Sequence, residues 1–290
     1  MDDGLLHLIG AALQSLSGAV VILIPPTVFF VLLALFLKGR EALPVFERAF
    51  EDVRLNLSLH FLDTLLVAPI VAVLAQGIQN GIEAHSLAIL APARWHALPA
   101  VVTLVGVVFV GDLISWARHR IEHTRLLWPT HAIHHSDAHM TWMTIMRFHP
   151  LNRVTTLIVD LGVLAVCGFP EWALIANFVV RHYYGEFIHA DLPWMYGPLR
   201  YVFVSPVMHR WHHARDVVGA GSNFATVFAF LDYAFGTYHV PGLCTVPLGV
   251  TDQMGKGTLG QMLYPFKAWG ERLRETNGGR GEASRHTTAP

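Results

Sequence analysis

Eight of the chain's 18 histidines fall into three tight clusters: His119 and His123, then His131, His134 and His135, then His209, His212 and His213. They read H-x-x-x-H, H-x-x-H-H and H-x-x-H-H. On a helix, residues three or four apart share a face, so each cluster is expected to aim two or three imidazoles at one point. Imidazole suits zinc, copper, iron and nickel, whereas magnesium and calcium take oxygen ligands. The only cysteines, Cys167 and Cys244, offer no thiolate set. Eight ligands exceed the needs of one tetrahedral ion, so the count favours two metals with open positions left for chemistry. Without metal, so many crowded imidazoles would repel one another whenever protonated. His7, His60, His85, His96, His239 and His286 lie outside the clusters and read as hydrogen-bonded structural residues.

The elements that carry these clusters are membrane helices. Hydrophobic residues make up 53% of the 290-residue chain and charged residues 14%, and mean hydropathy is +0.44. This composition predicts an all-α integral membrane bundle of about four to five spans with a cytoplasmic histidine-rich cap. A formal net charge of −1 gives no reason to expect nucleic acid. The two cysteines form neither a disulfide framework nor a C-x-x-C motif. The start, Met1, Asp2, Asp3, carries no basic residue before the first apolar run and reads as a retained span rather than a cleaved signal.

Candidate spans cover about 16–38, with Pro25 and Pro26 expected to kink it, about 57–79 and about 97–117. A longer apolar stretch at 154–188 is broken by Gly168, Phe169, Pro170 and Glu171, which reads as a turn between two short spans. Lys38, Arg40, Arg48 and Arg54 follow the first span, against Arg94 alone in 80–96. The excess of basic residues puts the first loop inside, the N-terminus outside, and all three clusters and the C-terminus in the cytoplasm. The division expected is 1–96 for N-terminal spans, 97–274 for a domain with the membrane hairpin and the di-metal site, and 275–290 for a polar, disordered tail.

The third span is expected to continue as helix into His119 and His123, which places metal just below the bilayer surface. Asp112 lies seven residues before His119, on nearly the same face. It is either a carboxylate that accepts the outer N–H of a ligand imidazole or a polar residue at a helix interface.

Residues 112–150 and 189–238 resemble the fatty acid hydroxylase and sterol desaturase superfamily of membrane oxygenases. The resemblance rests on the ordered set H-x-x-x-H, H-x-x-H-H, R-x-H-P, P-x-x-H-R-x-H-H and F-G-T. It implies that the eight clustered histidines, with His189 in F-I-H-A-D, hold a dinuclear iron centre. Arg147 and His149 match the family's Arg and His-Pro segment, while His182 and His139 are possible extras. The family's Asn-Tyr-Gly and Trp-Asp-Arg are here Asn223-Phe224-Ala225 and Leu231-Asp232-Tyr233, departures that bear on substrate class.

The resemblance implies O2-dependent hydroxylation of an unactivated C–H bond in a lipid, fatty acyl, sterol or related, with the spans forming an apolar slot for its tail. A desaturase on the same kind of lipid is the alternative, and a non-catalytic membrane metal-binding protein is a further one. No flavin, nicotinamide or haem motif is present, so electrons are expected from a separate ferredoxin- or cytochrome-type protein. The expected setting is a bacterial inner membrane. A carboxylate di-iron bundle needs repeated Glu-x-x-His pairs, and Glu186 with His189 supplies one. A zinc hydrolase is disfavoured because H-E-x-x-H is missing. A haem carrier would place paired histidines inside spans.

Overall fold

The computed structural model describes residues 3–215, 221–255 and 257–285, with side chains described from 10 to 275 of these. Helix α1, Asp3–Lys38, is apolar on nearly every side and runs through both Pro25 and Pro26. A tight turn at Gly39–Glu41 leads into α2, Ala42–Leu62. The inward stripe of α2 is Ala42, Ala49, Asn56 and Leu59, a near-heptad spacing that keeps one face against its neighbours. A wide π turn, Asp63–Val67, joins α2 to α3, Ala68–Ala84, which carries a proline in its first turn. Pro69 has no N–H to give to the ladder, so the hydrogen bonding is displaced just before it. The stretch expected to be a span at 57–79 lies within this continuous helical run, which the π turn widens locally.

After a short helix, α4 (Pro92–His96), the long α5 runs over Ala100–Glu122. Helices α6 (Trp128–His135), α7 (Pro150–Thr156), α8 (Gly162–Val166) and α9 (Glu171–His189) follow. The break expected within 154–188 falls at Gly168, Phe169 and Pro170, where Gly168 adopts φ +77°. A Cβ there would lie 1.8 Å from the Leu90 carbonyl oxygen, so only glycine lets the loop pass. Helices α5 and α9 approach closely at Gly111, where a Cβ would stand 2.5 Å from Asn177 Oδ1. Three further helices complete the chain: α10 (Pro206–His212), α11 (Ala229–Ala234) and α12 (Gly257–Arg285).

Among the described residues only Gly221 is extended as in a strand, and one isolated bridge links Ala214 with Leu248. Two helical stretches are long and apolar enough to cross a membrane, Gly10–Ala84 and Ala100–Glu122. Their outward faces carry large apolar side chains, including Phe29, Leu32 and Phe36 on α1 and Val101 and Val105 on α5. Phe36 is 84% exposed. Such continuous apolar surface is stable only against lipid or a partner, and with this length it marks a membrane protein.

The tail expected to be disordered from Glu275 instead continues α12 to Arg285. Extending an existing packed helix costs far less than nucleating one, so a polar sequence can follow the turn that Tyr264 and Ala268 anchor. Residues 286–290, including His286, lie outside the described residues.

Candidate metal centre

Four helices deliver the imidazoles. The last turn of α5 brings His119, with His123 at its end; α6 brings His131, His134 and His135; α9 ends on His189; α10 and its end bring His209, His212 and His213. Local sequence fixes two of these helices. Pro129 stands in the first turn of α6 and Pro206 in that of α10, where a missing N–H costs nothing. The Ser205 hydroxyl accepts from the Met208 N–H at 3.1 Å and caps α10.

The nine histidines named from sequence sort into two groups. His119, His123, His131, His135 and His212 form one, and His134, His189, His209 and His213 the other; within each, potential ligand atoms all lie within 4.8 Å of one another. The groups adjoin, with the His135 and His213 rings stacked at 4.3 Å between centroids. Each H-x-x-H-H cluster is thus divided and does not aim at one point, as its spacing first suggests. The i and i+4 members share a face, while the i+3 member lies some 60° away from the first, enough to serve a different centre. His131 and His135 serve the first group and His134 the second; His209 and His213 serve the second and His212 the first.

Several rings have a fixed tautomer. Nδ1 of His119 donates to the Phe224 carbonyl at 2.8 Å, that of His189 to Gly185 at 2.6 Å, and that of His212 to Ser222 at 2.6 Å. A carbonyl only accepts, so in each neutral ring Nε2 carries the lone pair. Those Nε2 atoms point into the groups: His119 Nε2 is 2.9 Å from His131 Nε2, and His189 Nε2 is 3.2 Å from His134 Nε2. Elsewhere buried nitrogens lack partners, namely Nε2 of His123 and His212, Nδ1 of His134 and His209, and both nitrogens of His213. Buried polar atoms without partners are rare, and this many in one place fit donors aimed at cations. Burial, followed by the neighbouring imidazoles, holds His131, His134, His135, His209 and His213 well below the usual 6.5. Burial likewise takes His212 down to about 4. All six are neutral near pH 7, the form that binds metal.

The supporting residues differ from those expected. Asp112 does not meet an imidazole. It accepts the backbone N–H groups of Thr226, Val227 and Phe228 at 2.9, 3.0 and 2.7 Å. Two helical turns separate it from His119 by about 10.5 Å along the axis, and three convergent amides satisfy a carboxylate better than one distant ring. The carboxylate beside a ring is Glu122, which sequence reasoning passed over: its Oε2 lies 3.5 Å from His131 Nδ1. Glu122 is fully buried, gripped by Arg118 at 2.7 Å and by the Thr155 hydroxyl at 3.0 Å. The H-x-x-x-H spacing could have drawn attention to it, since Glu122 directly precedes His123 and follows Arg118 by four residues.

Arg147 is buried but touches no ring of either group. It donates to Asn56, Ser136 and Asp52, fastening the exit of α6 to α2. His149 caps α7, its Nδ1 accepting from the Leu151 N–H and its Nε2 donating to the Met262 carbonyl, so its ring is spent on structure. His182 pairs with Glu186 at 3.4 Å and stacks on Phe178. His139 pairs with Asp52. Neither joins a group. The two segments that depart from the family pattern keep their structural members: Asn223, at φ +58°, binds backbone at Met208 and His239. Asp232 accepts from the Phe224 and Ala225 amides and Trp116. Together they shape the turn whose Phe224 carbonyl orients His119.

Residues 104–237 match the fatty acid hydroxylase family, the one to which the motifs point. Among curated proteins, the ornithine lipid hydroxylase OlsE of Rhizobium tropici is 27% identical over 183 residues, 62% of this chain and 54% of that protein. Alkylglycerol monooxygenase of Caenorhabditis elegans is 28% identical over 141 residues, 47% of this chain and 27% of that protein. The enzyme of the same name from Danio rerio is 28% identical over 175 residues, 59% of this chain and 38% of that protein. The chain thus spans about half the length of OlsE and less of the others. No solved structure matches.

Proposed function

We propose that this membrane protein, through the fatty acid hydroxylase segment at 104–237, is an O2-dependent di-iron hydroxylase of a lipid. The observation that carries the reading is the sorting of nine imidazoles, seven of them buried, into two adjoining groups with lone pairs converging. Two iron ions held there, one by each group, would supply the activation of O2 and the abstraction of hydrogen from an unactivated C–H bond. The overall reaction balances as one O2, two electrons and two protons converting R–H to R–OH and water. The relatives named lipid hydroxylase or monooxygenase act in the same sense.

The chain's own residues do the positioning. The carbonyls of Phe224, Gly185 and Ser222 hold three rings by their Nδ1–H, Glu122 faces His131, and burial keeps bulk water from the ring nitrogens. In this reading the nine histidines are ligands, 1–96 forms N-terminal spans, and 97–274 is the catalytic domain. The bundle crosses four to five times, with the cap and C-terminus on the cytoplasmic side of a bacterial inner membrane and the N-terminus outside. Electrons come from a separate ferredoxin- or cytochrome-type donor.

The test is comparative lipid mass spectrometry of cells with and without the gene, with an electron donor supplied. A lipid that gains one oxygen only when the gene is present supports the hydroxylase. Loss of two hydrogens assigns a desaturase to the same site, and an unchanged lipid profile rejects both.

A further inference from the structure

A cleft of about 590 Å³ opens beside the five-imidazole group. His123, His135 and His212 form part of its wall, so a molecule lodged there touches the groups proposed to hold metal. Its remaining lining is mixed, with Trp128, Phe224 and Val250 beside Thr124, Thr237 and Thr251. Among the described lining residues, Arg120 and Arg125 bring positive charge to the cleft beside the carboxylate of Asp252. That carboxylate is already engaged, by the Tyr264 hydroxyl and by the Trp128 indole N–H at 3.4 Å. Arg120 lies over the Trp116 ring at 5.5 Å and makes no ion pair among the described residues. Arg125 is 3.6 Å from Glu275, both largely exposed, a pairing weak enough to exchange for a better anion.

Depth supplies the second argument. Arg120 sits in the last turn of α5, one of the two helices long and apolar enough to cross a membrane. Ile121 and Leu126 beside it are 55% and 71% exposed. Cationic side chains interleaved with outward apolar ones at the end of a span mark the level of lipid headgroups. A cleft at that level with surplus positive charge suits a phosphate or carboxylate on a lipid.

We propose that this cleft binds the anionic headgroup of a lipid, so that the carbon presented to the histidine groups lies within a few bonds of that headgroup. The inference rests on the hydroxylase reading for its chemistry, but the binding it asserts needs no turnover. It is tested by calorimetric titration of the iron-loaded protein in nonionic detergent, without reductant. The probes are dihexanoyl phosphatidic acid, dihexanoyl phosphatidylcholine and inorganic phosphate. Phosphatidic acid is expected to bind roughly tenfold or more tighter than either of the others, the worth of a charge-assisted contact. In the Arg120→Gln, Arg125→Gln double variant that preference is expected to vanish while iron content is retained; Arg120→Lys is expected to keep most of it. Equal binding of the two lipids by the unaltered protein overturns the proposal. So does inorganic phosphate binding as tightly as the lipid, which would assign the cleft to free anions, and so does an unchanged preference in an iron-replete double variant. Phosphatidic acid binding as expected from a protein that leaves cellular lipids unaltered would separate this proposal from the hydroxylase reading.

Discussion

The Nε2 atoms of His189 and His209 lie 2.9 Å apart, although the residues belong to different helices. With Nδ1 of His189 committed to the Gly185 carbonyl, its Nε2 is a lone pair facing both His209 and His134. A ring so placed is stabilised by a shared proton or a cation, and the same geometry recurs where His131 Nε2 meets His119 and His135. Among nine neighbouring imidazoles, ions satisfy many lone pairs at once where shared protons satisfy a few.

His134→Ala and His212→Ala are expected to act on different centres, because the two residues belong to different groups. Each variant should lose turnover and hold less iron than the parent, while still partitioning into the membrane fraction. Elemental analysis of the purified proteins checks the first point. Full iron content in either variant would refute its place among the ligands.

Acid should destabilise the metal-free protein. His212 has its pKa lowered to about 4 by burial, and burial lowers those of five other buried histidines as well. Between about 4 and the ordinary 6.5 the unfolded chain takes up protons that the folded one refuses, so stability is full above pH 6.5 and declines below it. Thermal unfolding of chelator-treated protein in detergent from pH 7.5 to 5 should show a falling midpoint. A flat profile would contradict the burial of these rings.

Glu122→Gln removes the carboxylate beside His131 Nδ1 but keeps the shape of the side chain. Arg118 retains Asp160 at 2.7 Å, so the expected loss of stability is about 1–3 kcal/mol. The ring it faces becomes a weaker and less well oriented ligand, and iron affinity should drop by about 10- to 100-fold. Competition with a calibrated chelator measures this directly, and unchanged affinity would reduce Glu122 to an internal ion-pair partner.

Gly168→Ala forces a methyl group into the Leu90 carbonyl from a backbone at φ +77°, and should destabilise by about 2 kcal/mol or more. Gly162→Ala, at a helical position with open space around it, should be neutral or stabilise by about 0.5–1 kcal/mol. Unfolding of both variants in parallel separates the turn from a general sensitivity of the α8–α9 hairpin.

Much of this protein is legible in its residue order. The long apolar runs, the turn at Gly168–Phe169–Pro170 and the nine histidines follow from composition, punctuation and motif, because hydropathy and helical spacing are local properties. Asp112 shows where such reasoning stops. Its place two turns before His119 on nearly the same face suggests a ring partner, whereas the chain returns more than a hundred residues later to offer three amides at 226–228. Glu122 shows the converse, since its role depends on Thr155 and His131 arriving from other helices. Sequence determined which donors exist, whereas the splitting of each H-x-x-H-H cluster between two groups came only with the structure. Only tertiary structure decided which centre each ring faces, because that depends on how α5, α6, α9 and α10 are rotated against one another, and long-range packing alone sets those angles.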